Sequence, residues 1–188
     1  PIQSKVLLLF LAGLSGFILF SLEVMWFRHL EIIIGNRAYV STIILFSIIL
    51  GLGLSAYMTP FLCFKFGARK LVRVCCYLSI LALFTCLSFI PEAFYVTDGA
   101  RDINAIKFLF VTLSFFFPLF LLGFLFPSVI HSFEREFALS ASKTVFVLGV
   151  NSLMGILGSL LGSYFLIEAF GVNSILSMNV YLLCLASL

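Results

Sequence analysis

The chain has 188 residues, of which 63% are hydrophobic and 10% charged, and its formal net charge is +3. Mean hydropathy is +1.24, more apolar surface than one water-soluble core of this size can hide. This excludes an ordinary soluble domain, about half apolar and a quarter charged. No basic run is long enough to suggest nucleic-acid binding.

About 20 apolar residues cross a bilayer as a helix. Six such spans are predicted, near 6–27, 39–61, 71–90, 108–130, 145–167 and 172–188. The expected fold is all-α, a polytopic transmembrane bundle of about six helices forming one domain over residues 1–188, with no soluble domain. Repeated long spans are unlike a cleaved signal peptide, which has a single short apolar region. The chain opens at Pro1 and stops inside the sixth apolar run, so a piece of something longer is expected.

The first span carries Gly13 and Gly16 and then the segment SLEVMWFRHL. Glu23 lies inside the apolar run, where a carboxylate costs a few kcal/mol unless paired or hydrated. Its place on the helical wheel, near Gly16, turns it toward protein. Arg28, His29, Trp26 and Asn151 are its expected partners. Three roles are open to it: a hydrogen-bond hub, a site for a cationic or proton-linked ligand, or a side chain snorkelling to water. Trp26 is expected in the aromatic belt at the membrane surface, with Arg28 as a solvated anchor.

The second span offers Gly51, Gly53 and Ser55. The hairpin FKFGARK, residues 64–70, reads as a tight turn with headgroup contact. Cys63, Cys75, Cys76, Cys86 and Cys184 form no Cys-x-x-Cys pair and read as small apolar residues. The gap from Pro91 to Lys107 has the Asp98-Gly99 turn signal. In the fourth span phenylalanines cover every side, and Pro118 and Pro127 each threaten a kink. That helix is expected to face lipid or a partner. Glu134, Arg135 and Glu136 read as a solvated turn or a short surface helix.

In the fifth span Asn151, Gly155, Gly158 and Gly162 share one stripe, and Gly158 with Gly162 makes a GxxxG pair that admits close backbone approach. The amide of Asn151 should be buried and satisfied by a neighbouring helix. The glycine-faced first, second and fifth helices are expected to form the tight centre. Glu168 is expected near headgroups or water, and Asn173 and Asn179 are weaker signals in the sixth span.

If the spans alternate, Lys5, Lys65, Arg69, Lys70, Arg73, Arg135 and Lys143 share one side, and Arg28, Arg37, Arg101 and Lys107 the other. The positive-inside rule makes the richer side cytoplasmic, with both termini on it. The chain has no catalytic triad, phosphate-cradling glycine loop or metal-ligand spacing. No catalytic residue, cofactor or metal is therefore assigned.

Three stretches resemble the membrane portion of spermidine-synthase-like proteins. They are GFILFSLEVMWFRHL, which holds Glu23, Val24, Trp26 and Arg28 in a Glu-Val-x-Trp-x-Arg pattern, then LGLGLSA, then LGVNSLMGILGSLLGSYFLIEAFG. The same layout resembles one half of a major facilitator superfamily transporter. FKFGARK is partly similar to that superfamily's loop, though Phe64 stands where an aspartate is usual. The resemblance implies a non-catalytic membrane domain, anchor or scaffold for a cytoplasmic aminopropyltransferase-type domain, in a bacterial inner membrane. That activity would require a further domain with a Rossmann-like glycine loop. Two alternatives are an accessory subunit of a larger membrane complex and a small transporter-like bundle binding a cationic ligand through Glu23 and Asn151. The expected partners are the bilayer and a protein partner or a second copy of the chain.

Overall fold

A computed structural model describes residues 2–34, 37–95, 105–137, 141–166, 169 and 172–187. The elements are α1 (Ile2–Ile34), α2 (Arg37–Phe66), α3 (Ala68–Tyr95), α4 (Ala105–Leu122), α5 (Leu125–Phe137), α6 (Ala141–Leu160), which continues as a π-helical turn (Leu161–Leu166), and α7 (Val172–Ser187). Among the described residues there is no strand. The turn residues Asp98 and Gly99, the basic Arg101 and also Glu168 lie outside the described residues. Among the described residues, four stretches are long and apolar enough to cross a membrane: Lys5–Arg28, Val40–Phe66, Phe115–Arg135 and Lys143–Phe165.

Apolar runs without interior breakers explain most of these helices, and two breaks have local causes. Gly67 separates α2 from α3 with φ at 83°, a left-handed conformation that L side chains resist. Its N–H donates to the Cys63 carbonyl at 2.9 Å, and its own carbonyl accepts from Leu71 at 3.0 Å. One residue thus closes one helix and opens the next. The second break, at Gly123 and Phe124, lies four residues before Pro127. Proline has no N–H to give the carbonyl four residues back, and its ring crowds that carbonyl. Pro118 lies inside α4 and leaves it unbroken.

Two pairs of parallel neighbours build the bundle. Along α1 and α6, Gly13 meets Val150 and Met154, Phe17 meets Gly158, and Ser21 meets Gly162, numbers rising together. Along α2 and the α4–α5 pair, Gly51 meets Leu119 and Phe120, Ser55 meets Gly123, and Cys63 meets Ser128. Helix α7 runs antiparallel to α1, with Asn179 on Ser21 and Ser187 near Leu7 and Leu11. The main core gathers Ile18, Leu22, Met25 and Trp26 of α1, Ile43 of α2, Leu83 of α3, Phe115 and Leu119 of α4, and Leu183 of α7.

Several expectations need correction. The phenylalanine-rich fourth span is no peripheral helix: 56% of the apolar window of Phe115–Arg135 is buried, the largest share of the four, against 22% for Lys143–Phe165. Gly51 and Ser55 present a thin backbone face that α4 fills, so bulk on α4 is matched by its absence on α2. The fifth span is accordingly not central; it packs one face on α1 and turns the rest outward. Gly53 has nothing within 4 Å of where a Cβ would stand and takes no part in packing. Of the two alternatives for Glu134 and Arg135, a solvated turn or a short surface helix, the helix holds: both are exposed on α5, which runs through Phe137.

Candidate functional site

Helix α1 is the axis of polar chemistry in the apolar interior. The Ser15 hydroxyl bonds the Ala12 carbonyl at 2.7 Å and lies 3.1 Å from the Asn151 side-chain oxygen. Two turns on, the Ser21 hydroxyl lies 3.1 Å from the Ile18 carbonyl and 2.8 Å from the Asn179 side-chain oxygen. One face of α1 is thereby tied to α6 and another to α7. Each serine hydroxyl has one proton to give, shared between a carbonyl of its own helix and the amide oxygen of the facing one.

The glycine contacts follow the same seam. A Cβ on Gly16 would strike the Asn151 carbonyl, and one on Gly158 would come 2.5 Å from the Phe17 carbonyl. Both obstacles are backbone and cannot step aside. At Gly13 and Gly155 the obstacles are the Met154 and Phe20 side chains, at 2.9 and 2.6 Å. At Gly162 the nearest atom, on Ser21, is 3.6 Å away, an ordinary contact. The GxxxG pair therefore has one tight member, and the tightest crossing of α1 with α6 is Gly16 with Asn151.

The four polar candidates of the sequence are not one site. Asn151 is half-buried and engaged with Ser15, eight residues or about 12 Å along α1 from Glu23. Arg28 is exposed, and five residues after Glu23 it lies about 140° around the helix. Among the described residues no hydrogen bond or ion pair joins Glu23 to Arg28, Trp26 or Asn151. Glu23 is half-buried, and the nine residues from Met25 through Ile33 still lie inside α1, which ends at Ile34.

Trp26 departs most from its expectation. It is 1% exposed and packs edge-on against Phe115, ring centroids 4.9 Å apart at 79°. A belt position would need a ring at the surface; α1 instead runs beyond Trp26 and α4 covers it. The indole Nε1 is buried and has no hydrogen-bond partner among the described residues. Such orphan donors are few in native proteins.

Sequence reasoning undervalued Asn179, which is fully buried. Its surroundings in sequence, NSILSMNVYLLCLAS, have no glycine stripe to mark a packed face. A polar residue amid ten apolar neighbours was the available signal. Cys63, Cys75 and Cys76 are buried and Cys184 is exposed; the described residues contain no cluster of metal-ligating side chains.

At the end of the bundle where α2 turns into α3, two connected hollows open. A cleft of about 550 Å³ is lined by Phe66, Gly67, Ala68, Arg69, Lys70, His131, Ser132 and Arg135. Beside it, a slot of about 230 Å³ is walled by α1, α3, α5 and α7. Comparison with family models, curated proteins and solved structures gives no match.

Proposed function

We propose that this chain is an integral-membrane bundle crossing the bilayer six times with both ends on the cytoplasmic side. It serves as a non-catalytic anchor or scaffold for a cytoplasmic domain or partner, as the resemblance to spermidine-synthase-like membrane domains implies. A bacterial inner membrane is its proposed location. The observation that carries this reading is where the apolar side chains lie. Ile49 and Phe61 of α2, Leu81 of α3 and Leu153 of α6 are each more than 60% exposed, on helices whose charged side chains are confined to their ends. In water such a surface would aggregate; in lipid it is solvated, and the backbone is already satisfied within each helix. The polar contacts inside, Ser15 with Asn151 and Ser21 with Asn179, tie helices together and are consumed in doing so.

The test joins the intact chain to the domain or partner it is thought to hold. Alkaline carbonate should leave both with the membrane fraction, and deleting the bundle should release the partner to the soluble fraction. Vesicles containing only the bundle should take up no polyamine. Uptake that disappears in Glu23→Gln would favour the transporter reading and displace this one.

A further inference from the structure

We propose that the basic cleft and the slot beside it form one binding site for an anionic phospholipid, headgroup in the cleft and acyl chain in the slot. The cleft gathers Arg69 and Lys70 from the start of α3 and His131 and Arg135 from α5, and no acidic side chain lines it. Among the described residues Lys70, His131 and Arg135 have neither a hydrogen bond nor an ion pair. Lys70 and Arg135 thus bring like charge to one cleft, an arrangement that an anion relieves. Ser132 adds a hydroxyl.

The slot identifies what carries the anion. It shares Ala68, Arg69 and Ser132 with the cleft and runs on between Leu8, Leu11, Val72, Val129 and Ala186. Free phosphate would leave that apolar volume empty, whereas an acyl chain fills it while its phosphate stays among the cations. Arg73, also on the slot, sits one turn beyond Arg69 and can follow the glycerol region. This occupant rests on the membrane reading above, because only a bilayer presents such lipid to the mouth.

The experiment uses the full chain in mild detergent and phosphatidylglycerol, phosphatidylcholine and inorganic phosphate as probes. Retained lipid is read by native mass spectrometry and thermal stability by unfolding. Phosphatidylglycerol should be retained and stabilising and phosphatidylcholine should not, with inorganic phosphate a weak competitor. Lys70→Gln with Arg135→Gln, both at exposed positions, should weaken phosphatidylglycerol binding about thirtyfold, at about 1 kcal/mol for each cation. Arg28→Gln, outside the cleft, should leave binding unchanged. Equal retention of the two lipids would overturn the proposal, as would an undiminished affinity in the double variant. So would phosphate stabilising as well as the lipid does, since the slot would then hold nothing. A chain that carbonate strips from membranes refutes the membrane reading instead, a result separable from all three.

Discussion

Ser21 and Asn179 make a polar contact between helices at 2.8 Å, and both are fully buried. Hydrogen bonds between membrane helices average about 0.6 kcal/mol and reach about 1.7. A double-mutant cycle with Ser21→Ala and Asn179→Ala should give a coupling of about 1 kcal/mol, read by unfolding in mixed micelles; additive losses would refute the contact. Ser15 with Asn151, half-buried, should couple more weakly. Trp26 offers a sharper test because it is the only tryptophan. Its fluorescence should be blue-shifted and poorly quenched by acrylamide, where a belt residue would be reached readily. Trp26→Ala should cost about 3–5 kcal/mol. Trp26→Phe should cost far less, because the Nε1 hydrogen it removes has no partner to lose. A similar loss for both variants would mean that this N–H is bonded after all. Glu23 could be singled out from sequence because charge in an apolar run is rare. Its separation from Asn151 could not, since that depends on which level of α6 meets which level of α1.

At the scale of helices, glycines divide by what stands opposite them. Gly16→Ala and Gly158→Ala push a methyl into backbone and should each cost about 1–3 kcal/mol. Gly53→Ala and Gly149→Ala meet open space and should be neutral or stabilising by up to about 1 kcal/mol, the helix preference of alanine. Thermal unfolding in detergent separates the two classes, and equal effects would contradict the packing described. The stripe from Asn151 to Gly162 was legible because its spacing is helical and its residues small. The role of α4 was not. Phenylalanine is apolar enough for lipid and for a packed interior alike, so Phe115, at 1% exposed, and Phe117, at 53%, look the same in sequence. The partner decides between them: Gly51 and Ser55 leave room on α2, and α4 takes it. Gly67 is a different case, with open space around it and φ at 83°. Gly67→Ala should cost about 1 kcal/mol through backbone conformation alone.

Over the whole molecule, the helix ends bring Lys65, Arg69, Lys70, Arg73 and Arg135 to one end, with the starts of α1 and α6 and their Lys5 and Lys143 beside them. If that end is cytoplasmic, a cysteine replacing Lys70 in a chain freed of its own cysteines should react with an impermeant maleimide only after the membrane is opened. A cysteine replacing Asp98 should react from outside in intact cells. The reverse labelling would invert the proposed orientation. Apolar run length and charge placement sufficed to foresee an all-helical chain with stretches able to cross a membrane, because hydration cost and rise per residue are local quantities. The parallel pairing of α1 with α6 and of α2 with α4, the burial of Trp26, and the joining of cleft to slot depend on shape matching between residues far apart in the chain. Close packing is a property of two surfaces at once, and no single helix carries it.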